Sequence, residues 1–560
     1  MPITKKMPST MLPGHNFARV PGVALPRSVF NMSRAYKTTF DAGNLIPIFL
    51  QEVLPGDSFH VVMSAFARLT TPIKPLMDNL RLFSWFFFVP WRLTWANFVK
   101  FMGEQDNPGD SISFTIPTFS VPFTPAIGSL ADYFGALPQA TTTQVQTPNA
   151  INCLVNRAFW LIYNKWFRDE NLISSRNGVG GTGPVGIGDG PDVATDWLGA
   201  AQVPKHAKRP DYFTMALPFV QKGTASSIPL TGLAVVKTQS VDNFTGAQQA
   251  LHVLATGGGS TGAFGFGASA GGLASFNATA FTPSGQWYPS NLAADLSTVA
   301  AAFTINDMRQ AIAIQQLLER DARGGTRYTE LVEAHWGVRN PDARLQRPEF
   351  LGGGGSDIDI SPIAQTTQTG LTGGSTPLGN LGGYGTVSAQ GHGFHKAFTE
   401  HGIIIGIISV GADITYQQGL DRMWTRRTRF DFYWNEFAHI GEQSVLSQEL
   451  FWDGTTAGNA ADVGVFGYVP RYEEYRYGKS MITGLYRSNA AGTLEIWHLS
   501  EKFASRPTLG QTFIEDQTTT VLSTRVATPS EPDFYLDAYF KVLGARVMPT
   551  FGVPGLRAML

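Results

Sequence analysis

The sequence contains little charge and a single cysteine. Charged residues make up 15% of the 560 positions, whereas a typical soluble domain has about 25%. Because interface centres are depleted in Lys, Glu and Asp, the shortfall indicates a surface that other protein covers. Cys153 is the one cysteine, which excludes an intrachain disulfide.

Long apolar segments are also missing. The longest apolar stretch, residues 402–412, is about half as long as a membrane span needs to be. No apolar run follows Lys5 and Lys6, as one would in a signal peptide. We therefore expect no membrane insertion and a protein made in a reducing cytoplasm. The net charge of −1 argues against a stand-alone DNA-binding protein, which is usually basic, and leaves room for a local basic patch.

Short motifs that spell catalytic patterns lack the context that their chemistry needs. Residues 178–183 match a dinucleotide fingerprint, but Pro184 and further glycines follow where a helix should begin. Residues 258–262 and 267–271 spell the nucleophile elbow twice within one Gly- and Ser-rich tract, which indicates low complexity. Acidic and basic residues alternate over 319–333, which favours an ion-pair network over catalytic carboxylates. We predict no enzyme activity, no cofactor and no metal.

The histidines leave two alternatives open. His392, His395 and His401 are close enough in sequence to bind a metal, but their spacing fits no known finger, and a surface-loop position is favoured. His206 belongs to a short basic cluster, 205–209, that could contact phosphate; a solvated turn is favoured.

Aromatic residues, glycine and proline are abundant. Aromatic residues make up 12%, with 39 Phe, and there are 60 Gly and 34 Pro, a composition typical of strands joined by many turns. We predict a mainly β chain, a sandwich, barrel or jelly roll, with the Gly-rich residues 352–393 as a connection. The predicted strands are 45–54, 58–69, 82–89, 402–416, 427–434, 480–487, 493–500 and 534–547. The predicted helices are 149–168, capped by Asn149, and 305–323.

Two segments stand apart from the predicted β core. Residues 1–40 lack periodicity and indicate an extended N-terminal arm. Residues 223–302 carry charge only at Lys237, Asp242 and Asp295, which indicates an insertion projecting from the fold or, alternatively, a disordered loop. Aromatic residues that could anchor this insertion against copies of itself are Phe244, Phe264, Phe266, Phe276, Phe281 and Trp287.

The arm carries basic residues with few acidic neighbours. They are Lys5, Lys6, Arg19, Arg27 and Arg34, followed by Lys37. A flexible basic arm suits contact with phosphates without sequence readout, so these residues are candidates for DNA or inner-surface contact. The alternative is that the arm docks on a neighbouring subunit and the charges only keep it solvated.

Longer strings carry a family resemblance. Residues 34–43 (RAYKTTFDAG), 52–57 (EVLPGD), 319–330 (ERDARGGTRYTE) and 341–349 (PDARLQRPE) resemble the major capsid protein of microviruses, in particular the gokushovirus-like branch. Other matching strings follow in the family's order, and the likeness covers nearly the whole chain. The exception is 223–302, a region that varies within the family.

The resemblance implies a single eight-stranded viral jelly roll, here formed by residues 41–222 and 303–560. It also implies a T=1 icosahedral shell of sixty copies, with five-, three- and two-fold contacts, around circular single-stranded DNA. The insertion 223–302 would form a protrusion at each three-fold axis that meets a host surface receptor. Implied partners are a scaffolding protein, a DNA pilot protein and a small basic DNA-binding protein. The implied location is the virion, assembled in the cytoplasm of the bacterial host.

Two other functions compete with this interpretation. A carbohydrate-binding or sugar-modifying jelly roll shares the same fold, but it needs a cleft with convergent polar groups, and the sequence shows no such set beyond the His392 cluster. A DNA-processing enzyme would need an acidic metal-binding motif, which is missing.

Overall fold

The chain divides into two compact units. The first unit comprises Met1–Val220 and Gly324–Leu560, and the second comprises Gln221–Arg323. The computed structural model describes residues 27–119, 125–136, 151–193, 195–199, 202–224, 305–325, 327–338, 346–366, 379–454 and 462–550, together with the backbone of seven short strands between 235 and 295. The predicted insertion 223–302 lies within the second unit, and its role as a protrusion stays a prediction.

Strands dominate both units. In chain order they are β1 (Ser28–Asn31), β2 (Arg34–Phe40), β3 (Ile46–Val53), β4 (Ser58–Leu69), β5 (Leu80–Pro90), β6 (Val235–Thr238), β7 (Leu251–Ala255), β8 (Gly262–Phe264), β9 (Phe266–Ala268), β10 (Ala274–Phe276), β11 (Trp287–Pro289), β12 (Leu292–Asp295), β13 (Glu349–Asp357), β14 (Asp359–Ala364), β15 (Leu381–Ala397), β16 (Gly402–Ala412), β17 (Glu442–Leu446), β18 (Val465–Pro470) and β19 (Phe534–Arg546). The protein is therefore mainly β, as predicted.

The helices are short, with one exception. They are α1 (Phe98–Phe101), α2 (Leu130–Tyr133), α3 (Leu154–Ile162), α4 (Thr195–Leu198), α5 (Ile305–Gly324), α6 (Tyr328–Trp336), α7 (Arg422–Thr425), α8 (Ser447–Leu450), α9 (Gln511–Ile514) and α10 (Thr518–Leu522). No helix in the described parts of the chain is long and apolar enough to cross a membrane.

Two antiparallel sheets form the body of the first unit. One sheet has six strands in the order β1-β19-β4-β15-β14, with β2 also paired to β19; the other has four strands in the order β13-β5-β16-β3. Apart from β14 and β15, neighbours in each sheet are not consecutive in sequence, which is the crossover pattern of a jelly roll rather than a meander. The jelly-roll class is confirmed. The count of eight strands is not, because the two sheets contain six and four.

The core lies between the two sheets. Alternation in β4 and β19 places every second side chain inward, where rings from opposite sheets meet. The Phe49 and Phe540 rings are 4.9 Å apart, and Phe86 lies 5.5 Å from Phe394. The four-stranded sheet is buried on its second face as well: Phe87 packs 5.4 Å from Trp166, in the turn that prolongs α3. The six-stranded sheet keeps one face open to solvent.

The arm boundary predicted at residue 40 falls inside the six-stranded sheet. Strands β1 and β2 both pair with β19, for example Thr39 with Tyr535. Residues 1–26 lie outside the described residues, so the extended arm stays a prediction for that part.

The second unit consists of short paired strands and most of α5. Strand β12 pairs with β6, β10 with β9, and β7 lies between β11 and β8. The predicted helix 305–323 is confirmed by α5. The predicted helix 149–168 is confirmed in part: α3 begins at Leu154 and continues as a single π-helical segment, Tyr163–Phe167, while its predicted cap Asn149 lies outside the described residues.

The Gly-rich residues 352–393 were predicted as a connection, and this prediction is wrong. They contain most of β13 and β15 and all of β14. The reason is close backbone approach: a Cβ on Gly353 would clash with the Ser84 carbonyl oxygen, and one on Gly393 would clash with that of Val61. Glycine in a strand often marks such an approach.

Three predicted strands are wrong: 427–434, 480–487 and 493–500. Short 3₁₀ turns replace them at Arg429–Asp431, Gly484–Tyr486 and Glu495–Trp497. In the first segment the Asp431 carboxylate accepts hydrogen bonds from the Arg427 and Thr428 amides at 2.8 and 2.7 Å. Such local bonds offer the backbone an alternative to a sheet ladder.

Cys153 should be unreactive in the folded protein. The residue is fully buried, and desolvation raises the pKa of its thiol to about 12, so almost no thiolate is present at pH 8. We expect iodoacetamide to label the native chain at least a hundredfold more slowly than the chain in denaturant, as followed by intact-mass spectrometry. Comparable rates in the two states would show that the core around α3 is open.

Asp533 should make stability depend on pH. Burial raises the pKa of its carboxyl from 3.8 to about 6, so the native state binds the proton more tightly than the unfolded state. Stability is then fully present below about pH 4 and is lost as the pH rises to about 6, by roughly 3 kcal/mol. Asp533→Asn keeps an acceptor for the Ala42 amide at 3.0 Å but cannot ionise.

We therefore expect Asp533→Asn to be more stable than the wild type at pH 7 and to match it at pH 4, in urea denaturation of the dissociated chain. An equal difference in the free energy of unfolding between variant and wild type at pH 4 and pH 7 would contradict a raised pKa at Asp533.

Candidate assembly surface

A cluster of large apolar side chains is exposed between β16 and β17. Most of these residues lie in α7 and the turns after it, and one more lies in the turn after β18. Each leaves a third or more of its surface open to solvent: Met423, Trp424, Phe430, Phe432, Tyr433, Trp434, Ile440 and Tyr475. We call this set the aromatic surface. Ring contacts and shared arginines join Phe430, Phe432, Tyr433, Trp434 and Tyr475 in small groups, and exposed apolar groups concentrated in this way mark a site of interaction with another protein.

Arginines hold the rings of the aromatic surface in place. Arg426 lies over the ring of Tyr475 at 4.5 Å and over that of Phe432 at 5.5 Å. Arg429 lies over Trp434 at 5.1 Å, and its carbonyl accepts a hydrogen bond from the Trp434 indole at 2.8 Å. Because these cation–π contacts fix the rings before binding, less side-chain freedom is lost when a partner docks.

The base of the aromatic surface is a network of paired charges. A cavity of about 240 Å³ is lined by charged and aromatic groups, and each of its ions has a partner. Arg422 pairs with Glu449 at 3.4 Å, Arg426 with Glu474 at 3.5 Å, and Lys479 with Asp421 at 2.5 Å. Burial raises the pKa of Glu449, and the Tyr212 hydroxyl donates to it at 3.0 Å. The network stiffens the support of the patch.

A serine, a histidine and a carboxylate meet elsewhere in the first unit. The Ser409 hydroxyl lies 3.1 Å from His206 Nδ1, and His206 Nε2 lies 3.4 Å from Asp516. Ser409 is completely buried within β16, so a substrate cannot reach it, and the same His206 nitrogen is 3.1 Å from the Gly43 carbonyl. The arrangement is structural. The prediction of a solvated turn at His206 is wrong, because the side chain fills this buried polar site.

The three histidines considered as metal ligands do not converge. His392 is buried on β15, with Nδ1 2.8 Å from Ser84 Oγ and Nε2 3.2 Å from Ser356 Oγ. Burial lowers its pKa, and its predicted surface-loop position is wrong. His395 packs on His60, and His401 on Phe98. No group of three metal-ligating side chains occurs within the described residues.

The predicted DNA contacts are only partly described. Lys5, Lys6 and Arg19 lie outside the described residues. Arg27 is exposed. Arg34 is held by the fold: it donates to Gln51 at 3.0 Å and to the Leu50 carbonyl, and its guanidinium lies 4.6 Å from the centre of the Phe49 ring. Desolvation lowers the pKa of Arg34. DNA contact by this set stays a prediction.

The predicted protrusion contacts are described only by their backbone. Phe264, Phe266, Phe276 and Trp287 lie on β8, β9, β10 and β11, while Phe244 and Phe281 lie outside the described residues.

Sequence reasoning missed the aromatic surface. The signal is present in residues 423–434, where arginines and aromatic residues interleave, but the same alternation also predicts a strand. Interleaved Trp, Tyr and Arg are also the residues enriched at energetic centres of interfaces.

A jelly roll in which the Ser409, His206 and Asp516 cluster is buried and an aromatic and arginine surface is exposed fits a structural, self-associating class of protein. The chain matches the family model described as "Capsid protein (F protein)" over residues 18–556 and belongs to this family, the capsid proteins of microvirus-type single-stranded DNA phages. The predicted gokushovirus-type relationship is confirmed, and the protein is structural rather than an enzyme.

Three relatives cover almost the whole chain, and each is named capsid protein VP1. The protein of Bdellovibrio phage phiMH2K is 43% identical over 548 residues, covering 96% of this chain and 97% of the relative. That of Chlamydia phage 1 is 38% identical over 617 residues, with 99% of each chain covered. That of Spiroplasma virus 4 is 33% identical over 574 residues, again with 99% coverage of both.

Proposed function

We propose that sixty copies of this chain close into a T=1 icosahedral shell around circular single-stranded DNA. The observation that carries the proposal is the aromatic surface, because a capsid protein has copies of itself as its most abundant partner. Trp424 and Phe432 are more than half exposed in the single chain, and burial against a neighbour would remove this area from water.

The low charge of the chain supports the same proposal. Closed symmetry allows one polypeptide to cover its weakly charged surface with identical neighbours. Each standard interface buries about 1,600 Å², and many such contacts per subunit make a shell far more stable than any single contact. The near-neutral net charge leaves most phosphate neutralisation to a small basic DNA-binding partner.

Nuclease protection of assembled particles tests enclosure of DNA. Particles from infected cells are treated with DNase and exonuclease, and the nucleic acid is then extracted and imaged. We expect protected circular single-stranded DNA in particles that contain this chain. Recovery of empty particles only, or of double-stranded DNA, would overturn this part of the proposal.

The second unit supports a further part of the proposal, namely that residues 223–302 form a three-fold protrusion that contacts a host receptor. This segment lies within the second compact unit, Gln221–Arg323, as expected of an insertion that is not needed for the shell. Scaffolding and DNA pilot proteins complete the proposed set of partners, and we place assembly in the host cytoplasm.

Replacing residues 225–302 with a short Gly-Ser linker tests the proposed protrusion. Particles should still form, but they should no longer adsorb to host cells. Particles that adsorb normally would contradict a role of this segment in receptor contact.

A further inference from the structure

The open face of the six-stranded sheet presents three rings on neighbouring strands. Period-two alternation turns Phe66 outward on β4 and Tyr535 and Tyr539 outward on β19. The three side chains are 52%, 38% and 50% exposed. In the four-stranded sheet, by contrast, β16 is buried at all but its last residue, and exposed positions recur on the edge strand β13. The open face of the six-stranded sheet therefore offers exposed rings on its central strands to a further ligand.

The rings are spaced for insertion of flat groups between them. Phe66 pairs with Asp537, so it lies diagonally between Tyr535 and Tyr539, at the roughly 7–8 Å that separates diagonal neighbours in a sheet. Within the described residues, none of the three rings stacks on another aromatic ring or lies under a cation. The rings of the aromatic surface differ, since arginines already cover them.

Charged groups of both signs surround these rings. On β2, β4, β15 and β19 the outward-facing charged residues are Lys37, Arg68 and Lys541, against one carboxylate, Asp537, which Lys37 pairs at 3.0 Å. The edge strand β14 adds Asp359, and Glu531 accepts a hydrogen bond from the Tyr535 hydroxyl at 2.6 Å. A groove of about 820 Å³ runs past Phe66, Arg68 and Tyr535. Asp132 also lines this groove, so positive and negative charges are about balanced, and stacking rather than charge must supply most of the affinity.

We propose that this face binds unpaired bases of single-stranded DNA. Phe66, Tyr535 and Tyr539 serve as stacking platforms, and Arg68 and Lys541 contact phosphates. Stacking of this kind tolerates any sequence, because every base has a π-face. The inference rests on the proposed enclosure of single-stranded DNA and identifies where the enclosed strand meets the protein. The polar residues between the rings, such as Ser64, Ser388 and Gln390, suit a nucleic acid better than the apolar centre of a protein interface.

Fluorescence anisotropy with two oligonucleotides tests the proposal on the full chain. One probe is a labelled 20-mer of thymidylate, and the other is a 20-mer of the same backbone without bases. We expect Phe66→Ala and Tyr539→Ala each to weaken binding of the thymidylate probe about tenfold and to leave the abasic probe unchanged. Arg68→Gln with Lys541→Gln should weaken both probes and reduce the salt dependence. Trp336→Ala, at an exposed ring on α6, is the matched control.

Electron microscopy of particles from each variant separates this inference from the proposed shell. Particles that form normally while thymidylate binding falls support base stacking. The inference is overturned if wild-type chain does not bind the thymidylate probe, or if ring substitutions weaken both probes equally. It is also overturned if Phe66→Ala abolishes particles and leaves thymidylate binding intact, since the face would then be a contact between copies.

Discussion

Replacing Trp424 with aspartate should abolish particle formation while the isolated chain stays folded. The Trp424 side chain is 70% exposed on α7, so its removal costs the single chain little. In a shell the same ring would be buried, and an aromatic centre of an interface contributes about 2 kcal/mol or more, which is roughly thirtyfold in each contact. Burying a carboxylate there adds a desolvation cost, and the losses multiply around a closed shell.

Velocity sedimentation of wild-type and variant chains expressed under the same conditions measures this effect. The matched control is Trp336→Asp, which places the same charge at a ring that is 72% exposed outside the aromatic surface. Circular dichroism should show the same β content in all three proteins. Normal particles from Trp424→Asp, or a loss of fold in this variant, would contradict the assignment.

Replacing Arg157 with methionine should destabilise the first unit by about 3–5 kcal/mol, because the change leaves a buried carboxylate without its partner. Arg157 donates to both oxygens of Asp192 at 2.7 Å, and to the carbonyls of Thr94 and Gly188 at 3.0 and 2.7 Å. Its side chain is 2% exposed. The single guanidinium therefore ties α3 to two loops, and its loss leaves four acceptors unpaired.

Urea denaturation of the dissociated chain measures the change. Arg92→Met is the control, since its ion pair with Glu400 at 2.6 Å is partly open to solvent and should cost about 1 kcal/mol or less. The double variant Arg157→Met with Asp192→Leu should recover part of the loss, because no unpaired charge stays buried. If Arg157→Met and Arg92→Met lower the free energy of unfolding equally, the buried ion pair contributes no more to stability than the partly exposed one.

Alternation predicted the strands whose two faces differ. Strand β4 has the predicted bounds, and β3 and β19 lie within one or two residues of theirs, because one face of each meets the core and sets the pattern. The same rule failed for residues 427–434, where the alternating aromatic residues face solvent in turns. Alternation shows that two sets of side chains differ, but not that either set is buried.

The strands rich in glycine could not be predicted from composition. At Gly353 and Gly393 the glycine is required by a backbone in another strand, and that neighbour is far away in sequence. The positions of the buried His206 and His392 could not be predicted for a similar reason. Ser84 and Ser356 meet His392 only after β5, β13 and β15 have come together, so no local pattern marks the site.

The family was predicted from long sequence strings, whereas the aromatic surface and the open face of the six-stranded sheet were not predicted. Exposed rings such as Trp424 and Phe66 have the same composition as core rings, and only the fold shows which of them stay in water. Hydrophobic pattern locates a core well; it does not distinguish an exposed contact surface from a buried one.

A particle reconstruction at side-chain resolution tests the central claim most directly. The account predicts a closed shell of sixty copies in which the jelly roll forms the wall and Trp424 and Phe432 are buried against a neighbouring copy. A solitary chain under every assembly condition, or a shell in which these rings stay in solvent, would contradict it.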